Sequence, residues 1–212
     1  MIHSTTFYFN PIRVCTYLLW DEEKNAVLID CGCSNERERR RLHDFLQKEQ
    51  LELRAHLLTH AHIDHAYGAR FVFEEYGILP HLHPNDEPLF SRLREQAAMF
   101  GLPLEDEPLD CFSPIQNDET LLFGDIRLGV IPSPGHTPGG VCYYSGNTNT
   151  LFSGDTLFQG GIGRTDLPGG DYANLMSSLH NLCSLPPETM VFPGHGFPST
   201  IGDEMRSNPY LQ

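Results

Sequence analysis

Short apolar runs bounded by turn residues alternate along the chain with longer stretches whose apolar positions recur at helical spacing. Runs at residues 7–9, 14–20 and 26–30 predict three strands, and the polar turn Asp21-Glu22-Glu23-Lys24-Asn25 makes a hairpin of the last two. A helix follows over residues 36–49, with Asn35 and Glu38 spaced as a capping box and Leu42, Phe45 and Leu46 as its buried stripe. Next come a strand at 55–59, a helix at 65–76, a strand at 78–83 and a helix at 87–100 that stops at Gly101-Leu102-Pro103. After an acidic loop at 105–110, strands return at 126–131, 141–145 and 150–153. A helix at 171–185 and a strand at 189–192 complete the pattern. Strands arrive in groups and helices follow each group, twice over. This predicts an α/β chain of two similar halves, stacked sheet to sheet with helices outside. No residue-level repeat supports the halves, and their approximate seam is placed at 105–113 within a single domain spanning 1–212.

Composition narrows the picture. The chain has 212 residues, 40% of them hydrophobic, enough for an ordinary core. A net charge of -14 argues against nucleic acid and anionic membranes as partners. The one dense basic run, Arg37 to Arg41, is interrupted by acidic neighbours at helical spacing and reads as a solvated helix face. Six cysteines lack the spacing of a zinc knuckle or the density of a disulfide scaffold, so a reducing, cytoplasmic setting is expected. The first residues carry no basic signal region, and no window is apolar enough to span a bilayer.

The chemistry is concentrated in Thr59-His60-Ala61-His62-Ile63-Asp64-His65, which leaves the end of a predicted strand. Residues two apart on an extended chain face the same way, so His60 and His62 can aim at one ion, and a turn at Ile63 swings Asp64 and His65 towards a neighbouring point. Three more donors each follow a predicted strand in a turn marked by glycine or proline. They are His136 in Pro134-Gly135-His136-Thr137-Pro138-Gly139, Asp155 in Ser153-Gly154-Asp155-Thr156, and His195 in Pro193-Gly194-His195-Gly196. A bland reading makes Asp64 a helix cap and the histidines separate loop residues, but it leaves the shared spacing unexplained. His81 and His83 also have strand spacing, yet no carboxylate cluster accompanies them, and they are read as structural.

This set resembles the metallo-β-lactamase fold superfamily, and within it the glyoxalase II-like hydroxyacylglutathione hydrolases. The resemblance implies a four-layer αββα sandwich with the site at one edge. It places one metal on His60, His62 and His136 and a second on Asp64, His65 and His195, bridged by Asp155. Two divalent ions follow, zinc first, with iron or manganese as the other candidates, and a hydroxide held between them as nucleophile. Asp64 and Asp155 are then the catalytic carboxylates, and a small thioester or ester is the substrate. Arg164, in Gly161-Ile162-Gly163-Arg164-Thr165-Asp166, falls where the glyoxalase II relatives contact a glutathione carboxylate, and Tyr143 is similar to their peptide-contacting tyrosine. An ion pair of Arg164 with Asp166 or Asp171, and a core position for Tyr143, are the competing readings. The longer relatives append a helical domain with further basic contacts, which the short stretch after His195 leaves no room for.

Two other function classes remain open at this stage. A mononuclear-iron persulfide dioxygenase shares the motif set and would use His60, His136 and Asp155. A non-catalytic metal-binding protein needs an incomplete site. The oligomeric state is not legible.

Overall fold

A computed structural model describes all 212 residues. Its first sheet contains β1 (His3–Phe9), β2 (Val14–Trp20), β3 (Asn25–Ile29), β4 (Glu52–Leu57), β5 (Pro80–Leu82) and β6 (Ser113–Pro114), side by side in chain order. The first three are antiparallel, and β3 to β6 are parallel, so each later step needs a crossover. Helices make these crossovers: α1 (Glu36–Glu49) before β4, α2 (Ile63–Ala66) and α3 (Ala69–Tyr76) before β5, then α4 (Glu87–Phe90) and α5 (Leu93–Phe100) before β6. The second sheet starts with β7 (Thr120–Phe123), β8 (Ile126–Pro132), β9 (Val141–Ser145) and β10 (Thr150–Gly154). A small ribbon of β11 (Leu157–Phe158) and β12 (Gly161–Ile162) precedes α6 (Tyr172–Leu182). Strands β13 (Met190–Pro193) and β14 (Ser199–Thr200) then close the far edge of the second sheet, and α7 (Ile201–Ser207) follows.

The strand period of two explains the layering. On β2 and β3, Tyr17, Leu19, Val27 and Ile29 face the second sheet and pack with Ile126, Leu128, Val130 and Phe152. Their neighbours Leu18 and Leu28 point the other way, onto Leu42 and Leu46 of α1 and Val72 of α3. On the outer face of the second sheet, Cys142, Leu151 and Val191 meet Leu175, Leu179 and Leu182 of α6 and Ile201 of α7. Each fully buried aliphatic contributes about 1.5–3 kcal/mol relative to exposure. The outcome is the four-layer αββα sandwich expected from element order.

The α1 cap departs from a simple box. Asn35 accepts from the Glu38 backbone N–H at 3.1 Å as expected, but Glu38 reaches past Asn35 to the backbone N–H groups of Ser34 at 2.8 Å and Asn10 at 2.9 Å. It thereby ties the β1–β2 turn to the helix start.

Two expected helices are each split. The first breaks at Tyr67-Gly68, because the Gly68 N–H donates to the Cys31 carbonyl at 2.8 Å and the chain there lies against the end of β3. The second breaks near Ser91, whose hydroxyl donates to the Pro88 carbonyl at 3.2 Å in competition with the helix ladder. The acidic stretch from Glu105 is a loop, as expected, but it is held down. Asp106 pairs with Arg39, Glu107 with Arg94, and the Glu107 carbonyl with Arg70. No helix is long and apolar enough to cross a membrane.

A Cβ at Gly68 would lie 2.3 Å from Cys31 Sγ and 3.0 Å from the Cys31 carbonyl oxygen. Gly68→Ala is therefore expected to destabilise the fold by about 1–3 kcal/mol through overpacking. Urea unfolding checks this, and an unchanged midpoint would contradict the close approach of α3 to β3.

Candidate metal centre

Parallel and alternating strands bring the carboxyl ends of β3, β4, β8, β10 and β13 to one edge of the sandwich. Every sequence-identified donor lies just beyond one of these ends, and all seven converge. His60 Nε2 lies 3.1 Å from His62 Nδ1, which lies 2.9 Å from His136 Nε2. On the other side, His195 Nε2 lies 3.0 Å and His65 Nε2 3.5 Å from Asp64 Oδ2. Asp155 sits between the groups, 3.4 Å from His65, 3.6 Å from His136 and 3.8 Å from His195. Three trios could each hold an ion: His60, His62 and His136; His60, His65 and Asp155; and Asp64, His65 and His195.

Hydrogen bonds outside the cluster fix which nitrogen faces inward. Thr59 Oγ1 donates to Asp30 at 2.7 Å, so it can only accept from His60 Nδ1 at 3.1 Å, leaving His60 Nε2 as a lone pair. His136 Nδ1 donates to the Arg164 carbonyl at 2.8 Å and His65 Nδ1 to Asp30 Oδ2 at 2.9 Å, so in both rings Nε2 is the nitrogen that faces the cluster. His65 Nε2 and Asp155 Oδ1 are buried with no hydrogen-bond partner. Leaving such atoms unsatisfied costs about 1–3 kcal/mol each, and a cation bound by both removes the cost. The donor set therefore fits metal ions by its own geometry. Gly194 leaves room for it, since a Cβ there would lie 2.2 Å from Asp155 Oδ1 and 2.6 Å from His65 Cε1.

Charge is divided between the two sides. Burial, then the neighbouring imidazoles, drives His60 well below its usual pKa, and burial with His136 pushes His62 down to about 3. Burial also works to lower His65, but Asp64, Asp30 and Asp155 outweigh it and raise the pKa well above normal. In His195 burial is outweighed by the hydrogen bond to Asp64, and its pKa is raised. Asp155 is held well below the usual carboxylate range, because His65 overcomes the opposing effect of burial.

Two buried carboxylates that the sequence reading passed over hold the loops. Asp30, in the left-handed region at φ 53°, accepts from the Thr59 backbone N–H at 2.8 Å, the Thr59 hydroxyl and His65. Asp86 accepts from the Ala61 N–H at 2.9 Å, the Thr137 hydroxyl at 2.9 Å and the Gly139 N–H at 2.5 Å. It ties the His60–His62 segment to the His136 loop. Gln96 adds bonds to Ile63 N–H and the Ala61 carbonyl, each at 3.0 Å. A carboxylate closing the apolar run 26–29 was a signal for Asp30; Asp86, beside Asn85 in a turn, offered none.

The two residues expected to contact substrate have other partners in the structure. Tyr143 is fully buried at 0% exposure, its hydroxyl donating to the Leu58 carbonyl at 2.7 Å, because its position on β9 faces the inter-sheet core. The contact expected of it is corrected to a core role. The Arg164 guanidinium donates twice to Asp166, both at 2.7 Å, so its side chain takes the ion-pair reading while its backbone carbonyl orients His136. Asp64 does not cap α2, which starts at Ile63 after His62 with no side-chain cap. His81 bonds the His56 carbonyl at 3.4 Å and His83 accepts from Asn85 N–H at 3.3 Å, both outside the cluster.

A sandwich that gathers histidine and aspartate donors from the strand ends of both sheets defines a metallohydrolase class. Residues 11–195 match the family model described as the metallo-beta-lactamase superfamily, and the chain belongs to that superfamily. It is 40% identical to the hydroxyacylglutathione hydrolase GloC of Haemophilus influenzae, over 92% of this chain and 91% of that protein. Among solved structures it is similar to TTHA1623 in a di-iron-bound form, with a TM-score of 0.87 and 40% identity over 98% of this chain and 100% of that one. It is also similar to the B3 metallo-beta-lactamase BLEG-1, with a TM-score of 0.86 and 37% identity over 99% of each chain.

Two outcomes follow. Because Asp64, Asp30 and Asp155 keep His65 protonated without metal, filling the Asp64–His65–His195 trio must displace protons. Titrating stripped protein with zinc should release about one proton or more per chain near neutral pH, with affinity falling as pH falls. Asp30→Asn keeps the left-handed backbone accessible but weakens the hold on His65 Nδ1–H. Metal affinity should drop about 10- to 100-fold with little change in circular dichroism. Unchanged affinity would show that Asp30 does not set the imidazole.

Proposed function

We propose that this chain is a metal-dependent hydrolase of thioesters, with S-lactoylglutathione or a related acyl thioester as substrate. The observation that carries the reading is the convergence of seven donors into adjoining trios, with His65 Nε2 and Asp155 Oδ1 buried and unpaired. Similarity to a hydroxyacylglutathione hydrolase across most of both chains supports the thioester. Six free cysteines fit the reducing cytoplasm in which such substrates occur.

His60, His62 and His136 would hold one divalent ion and Asp64, His65 and His195 the other, with Asp155 between them. Zinc suits neutral imidazoles and carboxylates, and so do iron and manganese. Two such ions supply a water that ionises near neutral pH and a Lewis-acid contact for the substrate carbonyl. The chain's own part is to hold that chemistry still. Thr59 and the Arg164 carbonyl keep the Nε2 lone pairs of His60 and His136 pointed inward, and Asp30 does the same for His65. Burial of Asp64 works to raise its pKa, but His65 and the bond to His195 lower it, so the carboxylate stays ionised, the form in which it would hold the second ion. A thiolate leaves without prior protonation, so no dedicated acid is required.

The test is to load purified protein with defined metals and assay S-lactoylglutathione, simpler acyl thioesters, a β-lactam and oxygen uptake on glutathione persulfide. We expect thioester turnover that depends on metal and falls at least about 100-fold in His136→Ala. Bound iron with oxygen consumption and no hydrolysis would instead assign the persulfide dioxygenase chemistry. Hydrolysis of the β-lactam alone would move the substrate to an amide.

A further inference from the structure

A trough of about 240 Å³ runs along the face where α4 and α5 meet the His136 loop, walled by Pro88, Leu89, Met99, Pro138 and Pro168. Its lining comes from the loops that carry and brace the donors of the candidate centre. Pro138 stands two residues beyond His136, and Pro168 belongs to the loop whose Arg164 carbonyl orients that histidine. Gln96, at its base, is the residue that bonds Ala61 and Ile63 between the metal-facing histidines and α2. A larger hollow of about 820 Å³ lies on α1, but Glu36, Arg37, Glu38, Arg40, Arg41 and Asp44 make it a charged helix surface away from the donors.

Resting on the thioester reading, we infer that this trough binds the acyl chain of the substrate and that the preferred acyl group is apolar. Its walls are mainly carbon, and its two charged residues, Arg92 and Glu95, approach each other at 3.9 Å and leave no net charge. The soluble thiol carriers of reducing compartments are anionic, and the one arginine placed to meet such a carrier from the neighbouring loop is engaged by Asp166. The trough thus carries no net charge to attract an anionic carrier, whereas an uncharged alkyl chain gains burial against Pro88, Leu89, Met99, Pro138 and Pro168. Met99, 64% exposed and unbranched, can fold over chains of different length. Specificity then resides in the α4–α5 segment, outside the ligand loops.

The experiment uses the metal-loaded protein and its Met99→Gln and Met99→Leu variants. One arm measures kcat/KM for acetyl, butyryl, hexanoyl and octanoyl esters of a single thiol, and a second arm holds the acyl group as acetyl and lengthens the thiol. A third arm measures binding of the corresponding free carboxylates by calorimetry, a readout independent of turnover. We expect kcat/KM and carboxylate affinity to rise about two- to fourfold per added methylene along the acyl series. The slope should be lost in Met99→Gln and kept in Met99→Leu. A flat acyl series, a slope that survives Met99→Gln, or a slope only in the thiol series would overturn the assignment. Absence of any turnover with the carboxylate slope intact would leave the trough standing and remove the thioester reading instead.

Discussion

The structure depends on Asp30, a carboxylate sealed inside the protein at 1% exposure and bonded three times. Burying an ionised group is costly unless its lone pairs are met, and here they are met only when the end of β4 and the first turn of α2 are both in place. The Thr59 N–H and hydroxyl come from the start of the histidine segment, His65 from its end. One carboxylate thus sets both ends of the six-residue ligand run, and through Thr59 it also sets the tautomer of His60. Asp86 does the corresponding work between the two sheets, tying Ala61 to Thr137 and Gly139. The seven donors are therefore held by groups that are not themselves donors.

Electrostatics follows from that scaffold. Imidazoles crowd one side and carboxylates the other, so His60 and His62 are lowered by burial and by neighbouring imidazoles while His65 and His195 are raised by the aspartates facing them. Such an arrangement sacrifices stability for readiness. The buried, unpaired His65 Nε2 and Asp155 Oδ1 are a cost to the isolated chain that cation binding recovers, which couples metal affinity to folding.

Much of this was legible in the sequence, for identifiable reasons. Period-two runs assign strand faces directly, so β2, β3, β8 and β9 and the sandwich they form could be read from local pattern. The ligand loops announced themselves because donors, glycine and proline cluster after apolar runs. What could not be read is long-range pairing. Asp86 bonds Ala61, Thr137 and Gly139, which are 25, 51 and 53 residues away, and no local feature of Pro84-Asn85-Asp86 reports that. The same holds for Arg164. Its motif was recognisable, but the Arg164 carbonyl bonds His136 at a separation of 28 residues, while the side chain closes on Asp166 two residues on. Short edge strands such as β7 and β14 were missed because four or two residues carry too little pattern.

Placing these supports outside the ligand set has a consequence for specificity. Asp86 and Gln96 belong to the same helical insertion as Leu89 and Met99, so one element both braces the histidine loops from behind and walls the trough beside them. The bracing is done by the buried Asp86 and Gln96, the latter also flooring the trough, and the outer wall by the half-buried Leu89 and the exposed Met99. Exposed positions tolerate substitution at little energetic cost, whereas the buried pair does not. The insertion can therefore be altered on its outer face without disturbing the donors, so that a fixed metal chemistry and an adjustable substrate fit coexist on one short stretch of chain.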